Sequence, residues 1–355
     1  MVEARTRTTK PRSKSRPTVS IIVPARNEEA NLGACLESLV AQTGVSFDII
    51  VVDDDSSDAT AEIARSFAEV EVVAAGPLPK GWGGKSNALA TGAKHAKGKW
   101  LLFTDADTVH RPGSLARAVE EAEHFGAALL SYSPRQEVVS FWEQALMPVV
   151  FAELAATYRP SDVCDPAKST AAANGQYLLI AREAYDAVGG HAAVAGSLLE
   201  DVELARAVKR SGRGLRFRFG GDAVSTRMYR TFPQMREGWT KNLALLFPHP
   251  TKLAAMRALE FSLIAGGAAV AVGAVLGSGR RKPARAVAAG VLSAAAYAIF
   301  LGRIRKAHFG RQAEAASIFG LPLFSFLLLR SANAYRAGGE VAWKGRSYKA
   351  ASGQD

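Results

Sequence analysis

Compact apolar runs rich in Val and Ile alternate along the first half of the chain with stretches where apolar residues recur every three or four positions. A short continuous apolar run marks a buried strand, and the three-to-four spacing marks the inward face of a helix. Val19–Val23 reads as the first strand, ended by Pro24, and Leu32, Cys35, Leu36, Leu39 and Val40 then share one helical face. Phe47–Val52, Val70–Ala75, Lys99–Thr104 and Gly126–Tyr132 read as further strands with helices between them. This alternation predicts an α/β domain with a doubly wound, mostly parallel sheet. Such sheets bind ligands beyond the carboxyl ends of their strands.

The middle of the chain is less regular. Phe141–Tyr158 is apolar and aromatic around Pro148, which fits either core or a helix lying at a membrane interface. Ser169–Ile180 ends in an apolar run, Leu198–Arg210 is helical, and Thr231–Leu246 is amphipathic. After Ala258 the pattern changes. Leu259–Gly277, Ala286–Leu301 and Ala315–Leu329 are apolar, and each holds at least fifteen successive residues without a charge. A soluble helix carries charge along one face, so three membrane segments are predicted. A span takes about 20 apolar residues, so the second and third read as short or partly interfacial. The expected division is a disordered tail over 1–17, a catalytic domain over 18–247, a membrane region over 248–330 and a polar tail over 331–355.

Charge sharpens this picture. The net charge is +11, and the first 17 residues hold six Lys/Arg against one Glu. That tail lacks an apolar stretch and so is not a signal peptide. Arg280-Arg281-Lys282 and Arg303–Lys306 separate the apolar segments. Without an aromatic-basic ladder or a zinc finger, the balance points to an anionic membrane surface and not to nucleic acid. Cys35 and Cys164 have neither disulfide-framework nor zinc spacing.

The candidate chemistry gathers at strand ends. Asp105 and Asp107 flank Ala106 where the fourth strand ends, so both carboxylates can face one hard divalent cation and, through it, the phosphates of a nucleotide. Asp53-Asp54-Asp55 end the second strand, Pro24-Ala25-Arg26-Asn27-Glu28 follow the first, and Lys85 and Asn87 open the helix after the third. Glu200-Asp201 open a later helix. Each piece also has a plain structural reading, as a solvated turn, a surface lysine or the acids favoured in a helix's first turn.

Together these pieces resemble the family-2 glycosyltransferases of the GT-A fold, over residues 19–247. The resemblance implies that Pro24, Arg26, Asn27, Glu28 and Asp54 hold the nucleoside of a nucleotide sugar, with Asp54 on the base. It implies that Asp105, Ala106 and Asp107 bind a divalent metal, Mn2+ or Mg2+, and the diphosphate, while Lys85 adds a second electrostatic clamp. The Glu200-Asp201 pair would supply the catalytic base, Asp201, on the acceptor side of an inverting displacement. Gln176, Glu200, Arg236 and Trp239 are the acceptor candidates; Arg236 and Trp239 are three apart and so share a helix face. His191, after two glycines, reads as a structural histidine before a metal-facing one.

Asn174–Tyr177, Gly189–His191, Arg227–Tyr229, Gly238–Asn242 and Trp343–Tyr348 resemble a membrane branch that includes carotenoid and hopanoid-associated glycosyltransferases. Trp343–Tyr348 suits an interfacial anchor. Asp55 stands where the wider family commonly has Gly, and Gln234–Trp239 is not a clean Q-x-x-R-W motif, which favours single transfer over processive synthesis. The expectation is a multi-pass cell-membrane enzyme, its catalytic domain facing the cytoplasm, moving a hexose from a UDP sugar to a lipid acceptor. The rival is a non-catalytic membrane protein that keeps a nucleotide-binding domain as sensor or scaffold; intact Asp105, Asp107 and Asp201 speak against it. A third reading, a nucleotidyltransferase or phosphatase on a similar sheet, is disfavoured because no Gly-rich phosphate loop is present.

Overall fold

A computed structural model describes residues 17–276, 283–336, 340–343 and 346–349. The basic tail before Pro17, the Arg280-Arg281-Lys282 cluster, and Lys344 and Gly345 of the Trp343–Tyr348 segment lie outside the described residues.

Strands β1 (Val19–Ala25), β2 (Phe47–Asp53), β3 (Val70–Ala74) and β4 (Trp100–Phe103) pair in parallel in the order β3-β2-β1-β4. Helices α1 (Leu32–Val40), α2 (Thr60–Arg65) and α3 (Gly84–His95) make the crossovers. Ile21, Ile22, Val23, Ile50, Val51 and Val52 are all buried because both faces of the sheet are covered, hence the unbroken apolar runs. After β5 (Thr108–His110) and α4 (Ser114–His124), β6 (Ala127–Ser133) joins the same sheet and is followed by the short β7 (Arg135–Gln136). Helices α5 (Phe141–Thr157) and α6 (Pro160–Cys164) lead to β8 (Leu178–Ala181), which runs antiparallel between β4 and β6. Next come α7 (Arg182–Ala187), α8 (Gly190–Ala193), α9 (Glu200–Arg210), β9 (Gly214–Phe219) beside β6, and β10 (Val224–Thr226). The small sheet β5-β10-β7 was not foreseen, because strands of two or three residues carry no periodicity.

The C-terminal part comprises α10 (Phe232–Leu246), α11 (Pro250–Leu276), α12 (Pro283–Ile304), α13 (Arg311–Ala316), α14 (Gly320–Arg336) and the hairpin β11 (Glu340–Trp343) and β12 (Arg346–Lys349). Three helical stretches, Pro250–Ala274, Ala284–Ala307 and Arg311–Arg336, are long and apolar enough to cross a membrane. The second and third are therefore not short: helix continues past their apolar runs into the flanking basic turns. They differ in partners. Only 6% of the first apolar window is buried within the protein, against 50% of the third. The third packs on α5 and α10, where Leu146, Val150, Trp239, Leu243, Phe324 and Leu328 share one core with Ile264 of α11 and Phe300 of α12. Residues on either side of the expected 247/248 boundary thus pack into one core.

Phe141–Tyr158 is core along most of its length, while Phe141 and Trp142 at its start remain half exposed. The first apolar segment also carries one charge, Glu260. Glu153 of α5 meets Arg257 at 3.0 Å and Arg303 at 3.2 Å, and Glu260 meets the same two at 2.6 and 2.7 Å. This buried four-charge network ties α5 to the first two membrane-length helices.

Candidate active site

A cavity of about 890 Å³ opens at the carboxyl ends of the strands. Pro24, Arg26, Asn27, Glu28, Asp54, Lys85, Asp105, Ala106 and Asp107 all line it, and so do Gln176, Glu200, Asp201 and Trp239.

The loops after β1 and β2 are set by backbone. Asp54 N donates to Ala25 O (2.9 Å), extending the β1–β2 ladder by one bond and leaving the Asp54 side chain against Arg26, whose Nη1 lies 3.8 Å from the carboxylate. Of the three consecutive aspartates only Asp54 lines the cavity. Asp55 has φ +60°, the left-handed region, which explains why glycine suits that position. Asn27 has φ +52°, and its Oδ1 accepts from Ser57 N (2.9 Å), while Glu28 N donates to Thr60 Oγ1 (2.7 Å). These bonds lock the loop after β1 to the loop after β2.

At the end of β4, Thr108 Oγ1 donates to Asp105 O (2.8 Å) and Thr104 Oγ1 to Gln176 O (2.7 Å), fixing the turn that presents Asp105 and Asp107. Lys85, in the first turn of α3, reaches Asp105 Oδ1 at 2.8 Å and Glu200 Oε1 at 3.2 Å. Burial opposes its charge, but Asp105, Glu200 and Asp201 together hold its pKa above the ordinary lysine value. Asn87 is structural, its Nδ2 donating to Ala75 O (3.1 Å).

Glu200 and Asp201 begin α9. Asp201 Oδ2 accepts from Gly175 N (2.7 Å) and Oδ1 from Val202 N (2.8 Å). A Cβ on Gly175 would stand 3.0 Å from Lys85 Nζ and 3.4 Å from Asp201 Oδ2, so glycine lets this backbone approach. Burial, then the charge of Glu200, pushes Asp201 up to about 6. Glu200 moves the other way: burial disfavours its charge, but Lys85 and Lys241 outweigh it. Two adjacent carboxylates with pKa values driven apart are the pattern of a base beside a fixed counter-charge.

The remaining candidates separate. Trp239 is buried at the cavity wall, and among the described residues its Nε1 has no hydrogen-bond partner; the same holds for Asn242 Oδ1 and Gln176 Oε1. Gln176 Nε2 donates to Thr226 Oγ1 (3.2 Å). Arg236 is exposed and outside the cavity lining, so the structure does not bring it to the site. Gln234 Oε1 accepts from Arg230 N (3.1 Å) and Thr231 N (3.2 Å), a capping box that starts α10. His191 is structural: Tyr185 Oη lies 3.0 Å from its Nδ1, its ring meets Phe103 edge-on, and burial lowers it to about 4. Sequence reasoning gave no role to Lys241 or Asn242, which line the cavity. Asn242 follows Trp239 by the same three residues that separate Trp239 from Arg236, and that was the available signal.

For a metal, the fit is partial by design. Among the described residues no cluster of three or more His, Cys, Asp or Glu side chains could hold an ion. The Asp105–Asp107 pair supplies two carboxylates to the cavity, and Mg2+-type ions are commonly held by one or two carboxylates plus substrate phosphates.

Residues 20–189 match the family model described as glycosyl transferase family 2. Over 339 residues the chain is 31% identical to 4,4'-diaponeurosporenoate glycosyltransferase of Staphylococcus aureus, covering 93% of this chain and 88% of that one. The chain is a family-2 glycosyltransferase. A second Staphylococcus aureus sequence of that name is 32% identical over 234 residues, 64% of this glycosyltransferase and 60% of the relative. Among solved structures, a mannosyltransferase from Pyrobaculum calidifontis in complex with GDP-Man and Mn2+ superposes with a TM-score of 0.52 at 17% identity, over 92% of this chain and 89% of that one. That likeness shows the GT-A-like fold of this glycosyltransferase.

Proposed function

We propose that this glycosyltransferase transfers one hexose from a nucleotide diphosphate sugar, UDP-linked, to the polar end of a lipid, a carotenoid acid or another polyprenoid such as a hopanoid, with inversion. The observation that supports this most is one cavity holding Asp54, the Asp105–Asp107 pair and Asp201, with Asp201 raised to about 6. Asp54 and Arg26 take the nucleoside. Asp105 and Asp107 would hold a divalent cation, which when bound neutralises charge on the diphosphate as a Lewis acid. Lys85, fixed between Asp105 and Glu200, places a second positive charge near that leaving group. Asp201 accepts the proton of an acceptor hydroxyl, and a carboxylate acceptor, already ionised near neutral pH, needs only to be positioned. The unpartnered polar atoms of Trp239, Asn242 and Gln176 gain partners from acceptor or sugar hydroxyls. The Staphylococcus aureus relatives carry a carotenoid acid in their name, and the membrane-length helices put a lipid within reach. The proposed placement is multi-pass in the cell membrane with the catalytic domain, residues 18–247, on the cytoplasmic side.

The test is mass spectrometry of lipids after incubation with UDP and GDP sugars, with and without manganese. A hexose-sized gain on a polyprenoid, dependent on UDP sugar and metal, is expected. Sugar transfer confined to water-soluble acceptors would overturn the lipid assignment, and preference for a GDP sugar the donor assignment.

A further inference from the structure

The cavity that holds Asp201 is not polar throughout. Phe151 and Leu154 of α5, Phe217 and Phe219 of β9, and Leu246 of α10 form part of its wall. Tyr158, in the same wall, already donates its hydroxyl to Leu246 O (2.7 Å). A further stretch of lining comes from Lys306 and Ala307, at the end of the second membrane-length stretch, and from His308 just past it. His308 has φ +61° and ψ +36°, a left-handed conformation uncommon outside glycine. Its ring stacks on Phe219 with centroids 4.2 Å apart and planes 12° from parallel. The left-handed conformation ends the helical turn, with His308 N donating to Arg305 O (3.4 Å).

We propose that this apolar arm receives the hydrocarbon chain of the acceptor, admitted from the bilayer beside the Phe219–His308 stack, while the acceptor's polar end lies at Asp201. The inference rests on the lipid-acceptor reading above and adds to it the place of the hydrocarbon chain and its route of entry. A sugar ring can stack on an aromatic face but gains little from aliphatic Leu154 and Leu246, whereas a hydrocarbon gains free energy with every apolar surface it removes from water. The source of the chain is set by continuity. The segment that carries His308 joins two helices of membrane length, so this side of the cavity adjoins their ends.

The probe is a polyprenoid carboxylic acid bearing a mid-chain diazirine, photolysed with the full-length protein in phosphatidylglycerol–phosphatidylcholine nanodiscs. Mass spectrometry of the peptides is expected to find label at Phe151–Leu154, Phe217–Phe219 and Arg305–His308. Ala155 is exposed on α5 and lines the arm, so Ala155→Trp should reduce that label to background. Nucleotide affinity serves as the control for folding, and Ala307→Trp replaces Ala155→Trp if that control fails. Label confined to α11 and α12, or unchanged label in a folded Trp variant, would overturn the proposal; the map on the parent protein decides by itself if neither variant folds. Label in the arm without lipid glycosylation from any nucleotide sugar would leave the groove standing and remove the lipid-acceptor reading. Lipid glycosylation with no label in the arm would do the reverse.

Discussion

On the proposed assignment, the candidate side chains at the donor end of the cavity hang from strand ends or from the first turn of the next helix, whereas at the acceptor end Trp239 and Asn242 hang from a helix packed on other helices and Gln176 from the turn before β8. The donor end is bonded before anything arrives: Asp54 to the β1 ladder, Asn27 to Ser57, Lys85 to Asp105 and Glu200. At the acceptor end Trp239, Asn242 and Gln176 each keep a buried polar atom without a partner among the described residues, beside an apolar wall. If the proposed assignment holds, selectivity resides at the acceptor end. A preformed polar clamp suits a nucleotide common to many sugars, and unpartnered atoms favour the one acceptor that satisfies them.

Asp201 sits where the two ends meet, and its loss should have the largest effect. With a hydroxyl lipid, Asp201→Asn should lower turnover by about 10²–10⁴-fold while donor affinity is retained. With a matched carboxyl lipid the loss should be milder. Steady-state rates on both acceptors check this, and parent-like turnover on the hydroxyl lipid would take Asp201 out of the mechanism.

The next largest effect lies on the membrane side. Glu153→Gln removes one of the two carboxylates of a buried network in which Glu260 still meets both Arg257 and Arg303, which should cost about 1–3 kcal/mol. A melt in detergent measures it. Nucleotide affinity measured well below the melting point should hardly change, because the donor end is bonded within its own strands; a parallel loss would mean the two ends are not separable.

The acidity of Asp201 gives a pH signature. It must be ionised to accept a proton, so kcat on a hydroxyl acceptor should climb about tenfold per pH unit below about 6 and level off above it. On a carboxyl acceptor this limb should be absent. The stability sign is opposite: a carboxyl raised in the folded state contributes stability that is complete below its ordinary 3.8 and lost as pH rises through about 6. The melting temperature of Asp201→Asn relative to the parent should therefore improve between pH 4 and pH 7. A constant difference would contradict the raised value.

The smallest expected effect sharpens the comparison most. Trp239→Phe keeps the ring and removes an N–H that has no hydrogen-bond partner among the described residues, so stability should hold while acceptor KM rises about 2- to 10-fold, one hydrogen bond's worth. Asn242→Ala should behave alike. A rise in donor KM instead would assign both residues to the sugar.

Much of the donor end was legible because its physics is local. A strand buried on both faces writes an unbroken apolar run, and the residues just past that run stand at the ligand-binding edge of the sheet. Asp105 and Asp107 could therefore be placed at that edge by position, whereas the choice of Asp54 among three successive aspartates came from the family resemblance. The acceptor end was legible only in outline. Periodicity put Arg236 on Trp239's face, yet a residue three positions away lies about 60° around the helix, on either side. Both Arg236 and Asn242 met the rule. Gln234, which opens the imperfect Q-x-x-R-W match, caps its own helix.

By itself, then, the sequence determined the parallel half of the sheet, the order of acidic groups along its edge and the three apolar helices, since each is set by neighbours within a few residues. Only the tertiary structure decided that Asn242 faces the cavity and Arg236 solvent, that Gly175 N and burial beside Glu200 tune Asp201, and that Lys306 to His308 close the wall of a site begun almost three hundred residues earlier. Those outcomes depend on which helix packs against which. The packing arises from apolar surface contributed jointly by α5, α10, α11, α12 and α14, and no single stretch of the chain contains it.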